Sequence, residues 1–536
     1  MAFSRPISAL LAGLLTTTLA ACGTDATTAG GNANREPQPY AEVNELSEPV
    51  SVSGEIDART NDVATAAFTS AKVAVVADPA NPLAASCGAS LAKALHLPAL
   101  ASGDSLAKTL ADLQVETVMV VPQTKLDADI DAQVWQVQSL DEVNDTFANV
   151  ALQTAPTVKT VALDQLMSLG DDEVFTCPWP TEPDADVKTV KLAEGTLAEV
   201  GDQSAVALLD DEDILAAGSL AASGIHAYDA ETWMDDEDAS KAVAAGDPLV
   251  IVSADAGAAA TLQWQAQVRA NGHELPGGGY EIFKNKRYVA LYGSPVGPSL
   301  GVLGEQGVEE TVARATSQAA AYNELSDDTI VPALEIIATV ASGSAGDDGN
   351  YSNEWDPTTF VPLIDAATQA GQYVILDFQP GRADFLSQVR QYESLLKRPN
   401  VGIALDPEWR LGPDEIPLQR IGHVEIDEVN AVIDYLAEFT AEHELPQKMV
   451  ILHQFQIQML RDRDQVRTGH PQIALLIHAD GQGTQGQKQE TWQALLKDAP
   501  AGVVWGWKNF IDEDEPMLNE SQTFQIEPQP HFVSYQ

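Results

Sequence analysis

Tyr373-Val374-Ile375-Leu376-Asp377-Phe378 and Val401-Gly402-Ile403-Ala404-Leu405-Asp406-Pro407-Glu408-Trp409-Arg410 are the two stretches on which the fold turns. Each is an apolar run of strand length that closes on acidic residues. Asp384 to Lys397, between them, reads as a helix, so together they make a βαβ unit. Side chains alternate between the two faces of a strand. Val401, Ile403 and Leu405 therefore face covering helices, and Gly402, Ala404 and Asp406 face the opposite way. Small residues followed by an acid suit the inside of a closed ring of strands, with the acid at its mouth. If the chain stays extended past Pro407, Glu408 shares that face with Asp406.

The same unit repeats on both sides. Tyr288 to Tyr292 precedes a helix near Val308 to Tyr322, and Leu334 to Val340 precedes one near Phe360 to Ala370. The Val401 strand leads to a helix from Glu428 to Glu444. Met449 to Phe455 is followed by a helical stretch to about Val466, and Ile473 to Ala479 by a helix from Gln487 to Leu496. Val503 to Lys508 is a seventh strand and Phe532 to Tyr535 an eighth. Residues 280–536 thus predict a TIM-type (β/α) barrel, with an open doubly wound sheet as the alternative.

Residues 61–275 carry a weaker version of this rhythm, predicting an α/β region with parallel sheets. Val73 to Val76, Val118 to Val121, Val206 to Leu209 and Leu249 to Val252 read as strands. Leu83 to Leu95, Ser105 to Leu113, Leu215 to Ala222 and Ala258 to Ala270 read as helices. The turn-rich Pro276-Gly277-Gly278-Gly279 separates the two halves. Lys72 to Gln123, with Asn81-Pro82-Leu83-Ala84-Ala85 and Pro98-Ala99-Leu100, resembles the cell-wall-binding repeat of Gram-positive surface proteins. That resemblance implies contact with the cell wall.

Among 536 residues, 29 Lys and Arg face 79 Asp and Glu, a formal charge of −50. A phosphate backbone repels such a chain, so nucleic acid is not an expected partner. Met1 to Ala21 has a basic start and a short apolar run, the pattern of an export signal. Leu19-Ala20-Ala21-Cys22 resembles a bacterial lipobox, which implies cleavage before Cys22 and diacylation of its sulfur, palmitate being one such acyl group. The expected location is the outer face of the cell membrane, held there by lipid alone. Residues 22–60 lack an apolar period and read as a flexible tether. Outside the cytoplasm, Cys87 and Cys177 are expected to form a disulfide, two separately buried thiols being the alternative.

Barrel chemistry sits at the C-terminal ends of the strands, where the polar residues of this half gather. Asp377, Asp406, Glu408, His453, His478, Asp480 and Lys508 all fall there. Two carboxyls at such a mouth suit glycoside hydrolysis, one protonated as acid and one ionised as base or nucleophile. Glu408 is the expected acid, and Asp377, Asp406 and Asp480 compete for the second role. Trp409, Trp505 and Trp507 are candidates for stacking on sugar faces. Arg382, Arg410 and Lys508 are candidates for holding anionic substituents, with His453 and His478 beside the substrate.

The Asp-x-Glu of Asp406 and Glu408 resembles that of several polysaccharide-cleaving barrel families, wall lysozymes among them. Three longer blocks, Leu376 to Arg382, Leu405 to Arg410 and Trp505 to Phe510, resemble those of a group of actinobacterial lipoproteins, which implies no particular activity. The expected partner is cell-wall glycan or another polysaccharide. A non-catalytic glycan-binding lipoprotein is the alternative. Asp377, His453, His478 and Asp480 are metal ligands by type but stand in no recognised spacing, so neither metal nor cofactor is expected. Gly297-Pro298-Ser299-Leu300-Gly301 lies in a loop rather than on a nucleophile elbow. The neighbouring glycines match neither nucleotide-binding pattern.

Overall fold

The computed structural model describes residues 37–536 apart from 127–129, 148–149, 156–161, 183–186 and 188–189. The expected export signal, residues 1–21, and Cys22 lie outside the described residues. Among the described residues, no helix is long and apolar enough to cross a membrane.

The second half is a closed, parallel eight-stranded barrel. Its strands are β1 (Lys286–Gly293), β2 (Thr329–Ala341), β3 (Tyr373–Phe378), β4 (Val401–Leu405), β5 (Lys448–Gln454), β6 (Ile473–Ala479), β7 (Val504–Asn509) and β8 (Phe532–Tyr535). Each pairs with its neighbours in chain order, and β1 closes the ring by pairing with both β2 and β8. Helices cover the outside, among them Val308–Ala320, Val361–Gln369, Ile426–Glu442 and Gln485–Leu496.

The period-2 reading explains the packing. Val401, Ile403 and Leu405 join the outer core with Val429, Val432 and Leu436 of the Ile426–Glu442 helix. Ala404 joins the inner core with Tyr288, Tyr373, Ile375, Ile451 and Leu476. Gly402 faces inward too. A Cβ there would meet the Tyr373 hydroxyl at 2.7 Å and the Met449 carbonyl at 2.5 Å, so only glycine fits beside the tyrosine.

Two departures from expectation have clear causes. No helix follows β5. The chain makes 3₁₀ turns at Ile457–Met459 and Arg463–Gln465 instead. Arg463 is buried there, donating to Gln454 Oε1 at 2.8 Å and the Leu495 carbonyl at 2.8 Å, and these bonds fix an irregular path. The folded part also begins before residue 60. Ala41–Val43 pairs with Phe68–Ala71, and Val50–Ser53 extends a sheet alongside Leu249–Ser253. These strands are three and four residues long, too short to show an apolar period.

The N-terminal half holds two four-stranded parallel sheets of like topology. One is ordered Ala99–Ala101, Val73–Ala77, Thr117–Val120, Gln133–Gln136. The other is ordered His226–Asp229, Val206–Leu209, Leu249–Ser253, Val50–Ser53. In both, the first strand of the unit has the second on one side and the third on the other. The helix after each first strand, Pro82–Leu95 and Ile214–Ala222, packs against its counterpart within one shared core. Cys87 on the former helix is disulfide-bonded to Cys177, which resolves the cysteine alternatives.

Candidate functional site

Strand alternation builds the site in one step. The inward positions below the mouth are apolar, and the last inward position on most strands is polar. β1 gives Tyr292, β3 Asp377, β4 Asp406, β5 His453, β6 His478, β7 Lys508 and β8 Ser534. β2 gives Glu335, two residues beyond inward-facing Ala333. All eight side chains are buried. Glu408 and Asp480 stand just above this layer, Asp480 nearly enclosed and Glu408 with partial access to solvent.

His453 is the hub. Its Nε2 donates to Glu335 Oε1 at 2.7 Å and lies 4.0 Å from Asp377 Oδ1, and its Nδ1 lies 2.9 Å from Asp480 Oδ2. Lys508 Nζ pairs with Asp480 Oδ1 at 3.0 Å and sits 3.7 Å from the centre of the Tyr292 ring. Tyr292 donates its hydroxyl to Asp377 Oδ2 at 2.9 Å. The His478 ring lies 4.9 Å from that of His453, with its Nε2 3.2 Å from Ser534 Oγ.

Five carboxyl groups thus share a nearly dry layer with two cationic groups, and this crowding shifts the proton affinities of Asp377, Asp406, Glu408 and Asp480 in different directions. Burial pushes Asp377 up to about 7, against the pull of His453. Burial, and then the charge of Glu408, drives Asp406 far above the usual carboxylate range. Burial followed by the charge of Asp480 raises Glu408 to about 7. Burial opposes the charge on Asp480 as well, yet Lys508 and His453 hold it below the usual range. Burial and the nearby His453 push His478 well down. His453 goes the other way, because Glu335 and Asp480 outweigh its own burial. Neighbouring acids with separated proton affinities are what acid–base chemistry requires.

The sequence-predicted residues divide into four groups. Asp377, Asp406, His453, His478, Asp480, Lys508 and Glu408 come together as described. The strand does not stay extended past Asp406. Pro407–Trp409 is a 3₁₀ turn, and Glu408 still ends up over the layer because the turn re-aims it. Trp505 and Trp507 point the other way. Their rings pack 5.7 and 5.6 Å from Trp492 in the outer core, so they present no face to a sugar. β7 parity dictates this, since Gly506 and Lys508 occupy its inward positions. Arg382 and Arg410 are engaged in loop structure. Arg382 donates to the Glu415 carbonyl at 2.9 Å and covers the Tyr351 ring, while Arg410 pairs with Glu428 at 2.9 Å. Trp409 is partly exposed beside Glu408.

Sequence reading missed Glu335, Tyr292 and Ser534. Glu335 had a signal, being the lone acid inside the apolar run Ala333-Leu334-Glu335-Ile336-Ile337. Such a charge inside a buried strand needs a partner. As for metal-binding capacity among the described residues, Glu335, His453 and His478 bring ligand atoms within 4.8 Å of one another. A second acidic group, Asp210, Glu212 and Asp213, is occupied by Arg59, which pairs with Glu212 at 2.5 Å and Asp213 at 2.6 Å.

Compared with known proteins, the chain matches no family model and no curated sequence. Its class is therefore defined by its own coordinates, as a TIM-type barrel with a carboxylate-rich mouth.

Proposed function

We propose that this is a lipid-anchored envelope protein whose barrel hydrolyses glycosidic bonds of cell-wall glycan or another polysaccharide. The observation that carries this reading is a partly exposed acid, Glu408, set above a buried layer in which Asp480 is ion-paired. The charge of Asp480 raises the proton affinity of Glu408. The ion pair with Lys508 keeps Asp480 anionic. Glu408 gives its proton to the leaving oxygen, and Asp480 supplies the negative charge that the oxocarbenium-like transition state needs. Water then adds its hydroxyl at the anomeric carbon and returns a proton to the site. Asp377 and Asp406, wholly enclosed, serve as positioning residues beneath the pair. A sugar ring would meet the half-buried rim at Trp409.

The test is release of reducing ends from purified wall polysaccharides by the parent protein and by Glu408→Gln. General acid catalysis contributes about 10²- to 10⁴-fold, and the variant loses about that much while keeping its fold. Equal turnover in both removes Glu408 as the acid. The anchor is tested separately: Cys22→Ser moves the protein from the membrane fraction to the soluble one.

One observation favours a second reading, a glycan-binding protein without turnover. A groove of about 720 Å³ runs between the loops after β1 and β2 and is lined by Val296, Leu300 and Trp355. Trp355 is 37% exposed there and offers a face on which a sugar can stack. In that case the same assay gives retention on the polysaccharide without reducing ends.

A further inference from the structure

We propose that Glu335, His453 and His478, with Asp377 as a fourth ligand, bind a divalent transition cation of the zinc class at the floor of the barrel mouth. The proposal does not depend on the glycan reading, because Glu408 takes no part in it.

The first argument is convergence. Three strands, β2, β5 and β6, bring ligand atoms of Glu335, His453 and His478 within 4.8 Å of one another, and Asp377 of β3 lies at their edge, its Oδ1 4.0 Å from His453 Nε2. His453 and His478 occupy paired positions on neighbouring strands, which puts their rings side by side. Two imidazoles with one or two carboxylates is a donor set for zinc and its neighbours in the first transition row. Magnesium and calcium prefer oxygen alone.

The second argument is that Asp377 and Glu335 each have one carboxylate oxygen held and the other without a hydrogen-bond partner. Asp377 Oδ2 accepts from Tyr292, leaving Oδ1 without a hydrogen-bond partner and 4.0 Å from His453 Nε2. His478 uses Nε2 toward Ser534 and keeps its ring beside that of His453. Glu335 Oε1 meets His453, and its Oε2 has no partner. His453 turns Nδ1 toward Asp480, which Lys508 holds in place, and turns Nε2 inward. An outer partner on the far nitrogen of a histidine is how proteins orient metal ligands. Buried polar atoms without partners are rare and costly, and Glu335 Oε2 and Asp377 Oδ1 both belong to this cluster, with Asp406 Oδ1 in the same layer.

The third argument is charge. Glu335, Asp377, Asp406, Glu408 and Asp480 outnumber Lys508 and His453 in a layer nearly without water. A dication held between the carboxylates offsets that excess of acidic groups.

The experiment uses the full purified chain. Elemental analysis after gel filtration is expected to find about one equivalent of zinc-class metal per chain. Stripping with a chelator lowers the thermal midpoint, and zinc alone restores it. Glu335→Gln and His478→Ala lose both the metal and the response to zinc, whereas Glu408→Gln keeps both while losing glycan turnover. Because either ligand variant can fail to fold, the stripped parent chain is also titrated with cobalt(II), whose visible spectrum reports nitrogen and oxygen ligands in a low-symmetry site. Parent protein that carries no metal as purified, shows no shift in midpoint with zinc and gives the spectrum of free aqueous cobalt overturns the proposal. Loss of turnover in Glu408→Gln with normal metal content would leave the glycan reading intact, and the reverse result would leave only the metal site.

Discussion

Lys508 is the cation that lets Asp480 remain charged inside a closed layer. Both side chains are almost fully buried, and the ammonium also rests on the Tyr292 ring. Removing one member of a buried pair leaves the other uncompensated, at a cost of about 3–5 kcal/mol. Lys508→Met is therefore expected to lower unfolding free energy in urea by about that amount. Adding Asp480→Asn to it should recover much of the loss, because the isolated charge is gone. Additive losses in the double variant would show that the two groups are not coupled. Glu408 makes a prediction in pH. Its folded-state proton affinity is raised to about 7 from an ordinary 4.5, so the folded state binds this proton more tightly than the unfolded chain. Its contribution to stability is complete below about 4.5 and disappears as pH rises through about 7. Between pH 5 and 8 the parent protein should lose more stability than Glu408→Gln does, and an identical pH slope in the two would contradict the assigned environment. The proposal that Glu408 is the catalytic acid also predicts that glycan turnover falls on the alkaline side of about 7.

Secondary-structure elements show what the sequence could and could not reveal. All eight barrel strands were legible, because a buried parallel strand is a short apolar run and each ended on polar residues. Inward and outward faces followed from alternation alone, as Val401 to Leu405 shows. Trp505 and Trp507 misled because residue type was weighed above parity. A tryptophan near a strand end suggests a sugar platform, but its neighbour Gly506 had already marked the inner face. Glu335 went unnoticed because it stands mid-strand, and its barrel depth is set by strand tilt, which a one-dimensional pattern does not contain. The internal likeness of the two N-terminal sheets was equally hidden, since it lies in connection order rather than in residues. One element contact there is sharply testable. Helices Pro82–Leu95 and Ile214–Ala222 meet where a Cβ on Gly218 would lie 2.5 Å from Ala89 Cα. Backbone cannot yield as a side chain does, so Gly218→Ala forces the helices apart. Helix propensity favours alanine by about 1 kcal/mol, and overpacking costs about 1–3 kcal/mol. The net expectation is a lower thermal midpoint for the N-terminal half, and an unchanged or higher midpoint would mean the helices are not tightly seated.

At the scale of the molecule, the two halves are stabilised by different means. The eight-stranded ring closes on itself, with the short Ser352–Glu354 strand added antiparallel to the end of β2, and its inner and outer cores reinforce each other. The N-terminal half has two open sheets of four strands, a core rich in alanine, and a covalent tie in place of closure. Cys87 and Cys177 are 90 residues apart, and in the chain-entropy account a loop of that length is worth about 4.5 kcal/mol. No cysteine lies in the barrel, so reduction acts on one half alone. Treatment with a thiol under native conditions should therefore lower the unfolding transition of the N-terminal half and leave that of the barrel in place. Limited proteolysis separates them, since cleavage within residues 280–536 follows the barrel and cleavage within residues 61–275 follows the other half. Coincident shifts in both signals would mean that the halves unfold as one unit. The link between them would then be the interface where Trp264 donates to the Leu445 carbonyl and Asn271 to Glu444, rather than the chain connection alone.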